Sequence, residues 1–305
     1  MKKLAVIGSI NMDMVVRVDQ FPQPGETRRG DRFAIVPGGK GANQAVALGR
    51  LGADVAMAGL VGDDASGEAY LRNFRENGVS VDAVGTARGE TTGTAVIEVD
   101  HAGENHIIIV PGANERCDLE WLDRALPAII DRDIFLLQLE IPHDTVFEAI
   151  RRLRAAGKTV VLDPAPASAI PVDLLRDVDY ITPNETELIA ITQSMGEGAD
   201  IRARMQWLRA HGVGAVIAKS GADGAYICAD SGIAHVPGFK VAPVDTTAAG
   251  DTFNAGFACA LAQGMDIPRA VRFANAAAAI SVTAAGAQGG MPARDMVEKL
   301  LQSSV

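Results

Sequence analysis

Apolar runs of strand length constrain this chain more than any other feature. Leu4 to Ser9 (LAVIGS), Val55 to Gly62 (VAMAGLVG), Ile134 to Leu139 (IFLLQL), Thr159 to Asp163 (TVVLD) and Ala215 to Lys219 (AVIAK) are apolar at nearly every position. Successive side chains of a strand point to opposite faces, so a strand is apolar throughout only when both faces are covered. Helix-like stretches lie between these runs, at Gly41 to Gly52, Gly67 to Asn77, Asp144 to Ala156, Glu185 to Thr192 and Ile201 to His211, with a short strand at Tyr180 to Thr182. The expected fold is a doubly wound α/β architecture, a mostly parallel sheet with helices on both faces. Beyond Thr246 the pattern turns helical, over Gly250 to Gln263, Pro268 to Ala284 and Pro292 to Gln302, each proline falling in a first turn that tolerates a missing N–H.

Two segments depart from this rhythm. Met14 to Gly39 and Thr92 to Asn114 alternate apolar and polar residues and are broken by Gly-containing turns such as HAGEN, the pattern of antiparallel hairpins. They are expected to form a small β lid over a cleft, inserted into one domain of 305 residues. No linker, low-complexity run or internal repeat marks a second domain.

Composition excludes several functions. The net charge of −10 comes without a basic stripe, which argues against nucleic acid or an anionic membrane as partner but not against a small anionic substrate. Cys117, Cys228 and Cys259 are odd in number and form no CxxC pair, so neither a disulfide framework nor a zinc site is expected, and a reducing cytoplasm fits. The opening MKKLAVIGSINMD resembles a signal peptide only until Asn11 and Asp13 interrupt it. ANAAAAISVTAAGA is too short and too Gly-broken to span a bilayer. The five histidines form no metal spacing and no G-x-S-x-G elbow occurs, which sets metalloenzyme and hydrolase readings well behind.

The stretch DTTAAGDTFNAGF, Asp245 to Phe257, places Asp251 at the start of an expected helix behind a turn of tiny residues. The amides of Ala248, Ala249 and Gly250 would be unpaired there and form an anion site at the positive end of the helix dipole. An aspartate in that position suits a general base taking a proton from a hydroxyl that attacks a phosphoryl group. The alternative is that Asp251 only caps the helix.

VPGGKGANQA, Val36 to Ala45, is a second Gly-rich turn into a helix. It fits neither a Walker A loop nor G-x-G-x-x-G, since Gly41 follows Lys40 and Gln44 holds the last glycine position. What remains is a backbone-lined pocket with one cation, Lys40, and one amide, Asn43, suited to a polyhydroxyl ligand, or else a tight turn with a surface lysine. Asn11 and Asp13 share one strand face just beyond the first apolar run, a spacing that grips vicinal hydroxyls. Glu140, Asn184 with Glu187, and Lys219 with Gly221 and Gly224 also follow apolar runs, so all should gather at the carboxyl edge of the sheet, where open α/β folds bind ligands.

These motifs, in this order over nearly the whole chain, resemble those of the ribokinase-like carbohydrate kinases of the phosphofructokinase-B type. GSINMD, GGKGANQA, QLE, DPAPA, TPNETE and DTTAAGDTFNAGF carry the resemblance. It implies transfer of the ATP γ-phosphoryl group to a sugar hydroxyl, with Mg²⁺ assisting, and D-ribose at its 5-hydroxyl is the substrate expected. By the same resemblance Asn11, Met12, Asp13, Gly39, Lys40, Gly41, Ala42, Asn43 and Glu140 would hold the sugar. Asp251 would be the base, with Ala248, Ala249 and Gly250 as anion hole. Asn184, Lys219, Ser220, Gly221, Ala222, Asp223, Gly224, Gly250 and Asn275 would line the nucleotide site, and Glu187 would order Mg²⁺. A K⁺ ion would be held by Asp245, Thr247, Ser281, Ala284, Gly286 and Gly290, mostly through carbonyls. Asn275 stands where the family often has His, Gly290 where a small hydroxyl residue is common, and Met12 where a smaller residue is frequent, which alters the pocket floor. Proteins of this type pair through their lid sheets, so a homodimer is expected. A kinase for 2-deoxyribose, fructose or a nucleoside, and a non-catalytic sugar-binding protein, are the alternatives.

Overall fold

A computed structural model describes residues 1–196 and 198–303. The strands are β1 (Leu4–Ile7), β2 (Asn11–Arg17), β3 (Arg32–Gly38), β4 (Val55–Gly62), β5 (Val79–Ala87), β6 (Thr94–Val99), β7 (Asn105–Val110), β8 (Ile134–Leu137), β9 (Thr159–Leu162), β10 (Tyr180–Ile181), β11 (Ala215–Lys219), β12 (Ala225–Ala229) and β13 (Gly232–Val236). The helices are α1 (Lys40–Arg50), α2 (Ala65–Glu76), α3 (Leu119–Ala125), α4 (His143–Ala155), α5 (Glu185–Ile191), α6 (Ile201–Ala210), α7 (Ala249–Ala262), α8 (Ile267–Ser281) and α9 (Arg294–Ser303).

Nine strands form the main sheet in the order β13-β12-β11-β10-β9-β8-β1-β4-β5. All its pairings are parallel except those of the β11-β12-β13 meander at one edge. The apolar runs are buried on both faces, as expected: Leu4 and Val6 of β1 join one core with α1, α2, α7 and α8, while Ala5 and Ile7 join the other with α3, α4, α5 and α6. From β1 the chain winds outward through β4 to β5, and from β8 it winds the opposite way to β11, so the topological switch lies between β1 and β8. Ligands of doubly wound sheets bind outside the carboxyl ends of the strands at such a switch.

The two alternating segments pair as β3-β2-β6-β7, a separate four-stranded sheet. Each segment is an antiparallel hairpin, and β2 and β6 join them in parallel. Strands β3 and β7 are its edges, and Phe33, Ile35 and the run Ile107 to Val110 lie exposed on them. No helix among the described residues is long and apolar enough to cross a membrane.

The sequence pattern missed β5, the β12-β13 hairpin and α3, none of which shows a continuous apolar run or a long helical period. Helix α8 stops at Ser281, not Ala284, because the amides of Val244 and Asp245 capture the Val282 carbonyl at 2.7 and 3.2 Å. Pro292 precedes α9 rather than starting it. Gly290, the departure noted from the small hydroxyl residue common there, has a structural reason: a Cβ at that position would run into the Ser281 carbonyl oxygen.

Candidate active site

The site begins where α1 crosses the end of β1. Gly39, the N-cap of α1, has φ of 85°, and a side chain on it would meet the Asn11 amide nitrogen at 2.7 Å. Two residues on, a Cβ at Gly41 would meet the backbone of Gly8 and Ser9, also at 2.7 Å. Backbone therefore packs on backbone, which only glycine permits. Glu140, beyond β8, pins the crossing: one carboxylate oxygen accepts from the Ser9 hydroxyl at 2.6 Å and from the Lys40 amide at 2.9 Å.

This crossing aims Asn43 and Gln44 at Asp251 in the first turn of α7. Asn43 Nδ2 donates to Asp251 Oδ2 at 3.0 Å, and Gln44 Nε2 donates to Asp251 Oδ1 at 3.1 Å and to Asp163 Oδ2 at 2.9 Å. Gln138 fixes Gln44 from behind, donating to its Oε1 at 2.7 Å. Burial raises the pKa of Asp251 to about 6, with the nearby Lys40 ammonium opposing and Asp163 reinforcing the shift. A carboxyl so placed is a base matched to neutral pH.

Helix α7 starts at Ala249, and Ala248 at its N-cap is left-handed, with φ of 59°. The Ala249 amide donates to Thr246 O at 3.2 Å, so it closes a turn and is not free, against expectation. Among the described residues no acceptor meets the amides of Ala248 or Gly250. Lys219 supplies charge there: its Nζ lies 3.6 Å from where a Gly250 Cβ would stand. The same ammonium donates to Asp163 Oδ1 at 2.9 Å and approaches Glu187 Oε2 at 3.8 Å.

Asn11 and Asp13 lie on one face of β2. Asn11 Oδ1 accepts from Asn114 Nδ2 at 2.7 Å, and Asn114 Oδ1 accepts from the Ile10 amide at 2.9 Å. Asp13 Oδ1 is buried without a partner, and burial raises its pKa to about 6 against the opposing Ala95 amide. An unpaired buried carboxylate oxygen is costly unless a ligand hydroxyl meets it. Met12 alternates to the other side and packs in the core, so its side chain leaves the pocket floor. Lys40 is half-buried, and burial alone would lower its pKa, yet Asp251, Glu140, Asp163 and Glu187 together hold it above the ordinary lysine value.

Asn184 and Glu187 form the capping box of α5: Asn184 Oδ1 accepts from the Glu187 amide at 2.8 Å, and the Glu187 carboxylate accepts from the Asn184 amide and side chain at 2.7 and 2.8 Å. Residues Ser220 to Gly224 follow β11 as a short 3-10 turn, and Asn275 anchors the chain beside it, donating to the carbonyls of Val236 and Pro237 at 3.0 and 3.2 Å. Among the described residues no group of three or more His, Cys, Asp or Glu is arranged as a metal cage. Glu187 and Asp163, hard oxygen donors flanking Lys219, nonetheless fit Mg²⁺, which takes one or two carboxylates together with substrate phosphates. Behind the anion site, Asp245 Oδ1 accepts from the Thr247 amide at 2.9 Å and hydroxyl at 2.6 Å, and Oδ2 accepts from the Gly286 amide at 2.8 Å. Burial opposes but these donors prevail, holding Asp245 below the usual carboxylate range. Asp245 thus stands as a carboxylate held by donors from both Thr247 and Gly286.

Sequence reasoning gave no role to Ser9, Gln44, Asn114 or Asp163. Asp163 had a signal, since it too ends an apolar run. The others become visible only through tertiary contacts.

A buried carboxylate beside unpaired amides and a lysine, at the switch of a doubly wound sheet, defines a phosphoryl-transfer type of site. The sequence matches the pfkB family of carbohydrate kinases over residues 1–294, and the chain belongs to that family. It is 43% identical to the ribokinase of Bacillus subtilis (strain 168), over 99% of this chain and 100% of the relative. The ribokinase of Thermotoga maritima superposes with a TM-score of 0.93 at 40% identity, covering 99% of this chain and 100% of that one. An Arabidopsis thaliana ribokinase complexed with ribose and ATP gives 0.92 at 35% identity, covering 99% of both.

The two acids raised to about 6 give a pH prediction. If Asp13 accepts a sugar hydroxyl and Asp251 accepts the proton, as the resemblance implies, both must be ionised, and kcat/KM reports the free enzyme. Log kcat/KM should therefore rise below pH 6 with a slope approaching about two. In Asp13→Asn the slope falls to about one at reduced activity. A single-proton limb in the unsubstituted enzyme would refute the paired requirement.

Proposed function

We propose that this protein transfers the γ-phosphoryl group of ATP to the 5-hydroxyl of D-ribose, with Asp251 as general base. The observation that carries the reading is Asp251 itself, buried, held by Asn43 and Gln44, and raised to about 6 beside free amides. The ribokinases to which the chain is similar support the choice of sugar.

In this mechanism Asn11 and Asp13 hold the vicinal hydroxyls. Gly39, Lys40, Asn43 and Glu140 complete the sugar pocket, and Gly41 and Ala42 shape its backbone. Asp251 takes the proton as the 5-hydroxyl attacks. The amides of Ala248 and Gly250, with Lys219, meet the charge on the phosphoryl oxygens. The nucleotide lies over Asn184, the segment Lys219 to Gly224, and the chain that Asn275 anchors. Glu187 would hold Mg²⁺, which when bound neutralises charge on the β- and γ-phosphates.

One coupled assay of ADP release with Mg–ATP tests the reading. Ribose should exceed 2-deoxyribose by about ten- to a hundredfold in kcat/KM, because a lost hydroxyl strands a buried polar partner at roughly 1 to 3 kcal/mol. Fructose, with its extra hydroxymethyl group under the lid, should be poorer still. Asp13→Ala collapses the preference for ribose over deoxyribose, and Asp251→Asn lowers turnover at least about a hundredfold with KM values within several-fold. Deoxyribose, fructose or a nucleoside as best substrate would overturn the ribose assignment, and an active Asp251→Asn would overturn the base.

The same reading places K⁺ at Asp245, Thr247, Ser281, Ala284, Gly286 and Gly290, where it would fix the turn that leads into α7. Rates in KCl should then exceed rates in LiCl at equal ionic strength, and Asp245→Ala should erase the difference. Equal rates in the two salts would remove the cation from the mechanism.

The exposed apolar edges of the lid, with Ile108 66% accessible, support a homodimer that covers them. Light scattering should give a dimer mass that Ile108→Glu reduces to a monomer; a monomer before substitution would refute it. The three free, buried cysteines accord with a cytoplasmic protein.

A further inference from the structure

Asn43 orients Asp251, but what orients Asn43 lies outside every motif considered so far. Gln288, buried in the loop between α8 and α9, donates through Nε2 to Asn43 Oδ1 at 3.1 Å and to the Tyr70 hydroxyl at 2.9 Å. Its Oε1 accepts from Asn73 Nδ2 at 2.9 Å. The Tyr70 hydroxyl in turn donates to the Gly38 carbonyl at 2.6 Å. Arg50 holds the backbone of this loop, donating to the carbonyls of Gln288 and Met291.

The chain Asn73, Gln288, Asn43, Asp251 has one polarity. Each amide accepts through oxygen and donates through nitrogen toward the carboxylate, so turning any one of them sets oxygen against oxygen. Tyr70 reinforces that direction: burial keeps its hydroxyl protonated, well above the ordinary phenol pKa, and its proton is committed to Gly38, so it can only accept from Gln288. The network also joins three parts of the molecule. Gly38 ends β3 at the root of the lid, Asn73 and Tyr70 belong to α2, and Gln288 follows Gly286, whose amide is bonded to Asp245.

We infer that Gln288 is a positioning residue for the general base, fixing the Asn43 amide so that its N–H faces Asp251 and tying that orientation to the lid root and the 282–290 loop. The inference rests on the reading of Asp251 as base. The charged groups facing Asp251 are Lys40 from α1 and Asp163 from the loop after β9, with Lys219 on Asp163 and with Glu140 and Glu187 around Lys40. Gln288 is uncharged, so replacing it with leucine leaves all of these in place.

The test compares the full chain with Gln288→Leu, Gln288→Glu and Asn73→Ala. Without Gln288 on its Oδ1, Asn43 is free to turn its N–H away from the Asp251 carboxylate, so kcat should fall by about tenfold in Gln288→Leu, with both KM values within about threefold. The acid limb of kcat should move to higher pH, because the lost hydrogen bond favoured the charged carboxylate. Gln288→Glu, which faces Asn43 Oδ1 with another acceptor, should lose more; Asn73→Ala, which frees Gln288 to rotate and also gives up the Asn77 Nδ2 contact at 3.2 Å, should lose less in the same direction. A second readout needs no activity: the ¹³C carboxyl resonance of Asp251, assigned by its disappearance in Asp251→Asn, should titrate at higher pH in Gln288→Leu. An unmoved titration in both Gln288 variants, or a loss of kcat matched by rising KM with the acid limb in place, would overturn the inference. If the acid limb of the unsubstituted enzyme fails to follow the Asp251 resonance, the base assignment falls instead, and the resonance shift still decides the role of Gln288.

Discussion

The close crossing of α1 over the end of β1 is the constraint on which the rest of the site depends. Gly39 and Gly41 let the two backbones touch, and Glu140 ties the Ser9 hydroxyl to the first amide of the helix. Moving α1 outward by the width of one methyl group would withdraw Asn43 and Gln44 from Asp251 together. A glycine here is thus worth more than its own conformational freedom, because two hydrogen bonds to a buried carboxylate follow from it. The carboxylate would otherwise face the full desolvation penalty of its position.

Charge in the cleft is arranged as a chain rather than as isolated pairs. Asp251 and Asp163 share the Gln44 amide, Asp163 and Glu187 share Lys219, and Lys40 stands among all of these with Glu140. Close carboxylates raise one another's pKa, and the two ammonium groups oppose that rise. Such an arrangement is poised for a ligand that brings several negative charges and a divalent cation, since each can displace an existing partner. It also explains how an acidic protein binds an anionic substrate: local donors decide, not the net charge.

The lid and the site are parts of one construction. Strand β2 carries Asn11 and Asp13, while β3 ends at Gly38 and passes directly into the N-cap of α1. Any movement of the lid therefore acts both on Asn11 and Asp13 and on the helix that presents Asn43 and Gln44 to Asp251. The Tyr70 hydroxyl on the Gly38 carbonyl fastens this junction to α2.

Much of this was legible in the sequence for a simple reason. A doubly buried strand must be apolar on both faces, so β1, β4, β8, β9 and β11 declared themselves, and polar residues at the ends of some of them, such as Glu140 after β8 and Lys219 at the end of β11, marked the binding edge. The alternation of β2, β3, β6 and β7 likewise announced a second sheet. Local pattern determined which residues reach the edge, including Asp13, Glu140, Lys219 and Asp251. It did not determine what they meet there. That Ala249 closes a turn and that Gly290 lies against Ser281 were decided by how loops fold back locally, while the bracing of Asp251 by Gln44 and of Asn43 by Gln288 was decided by contacts between segments more than two hundred residues apart. Hydrogen bonds of that kind depend on where whole helices are packed, and no periodicity within a single segment encodes them.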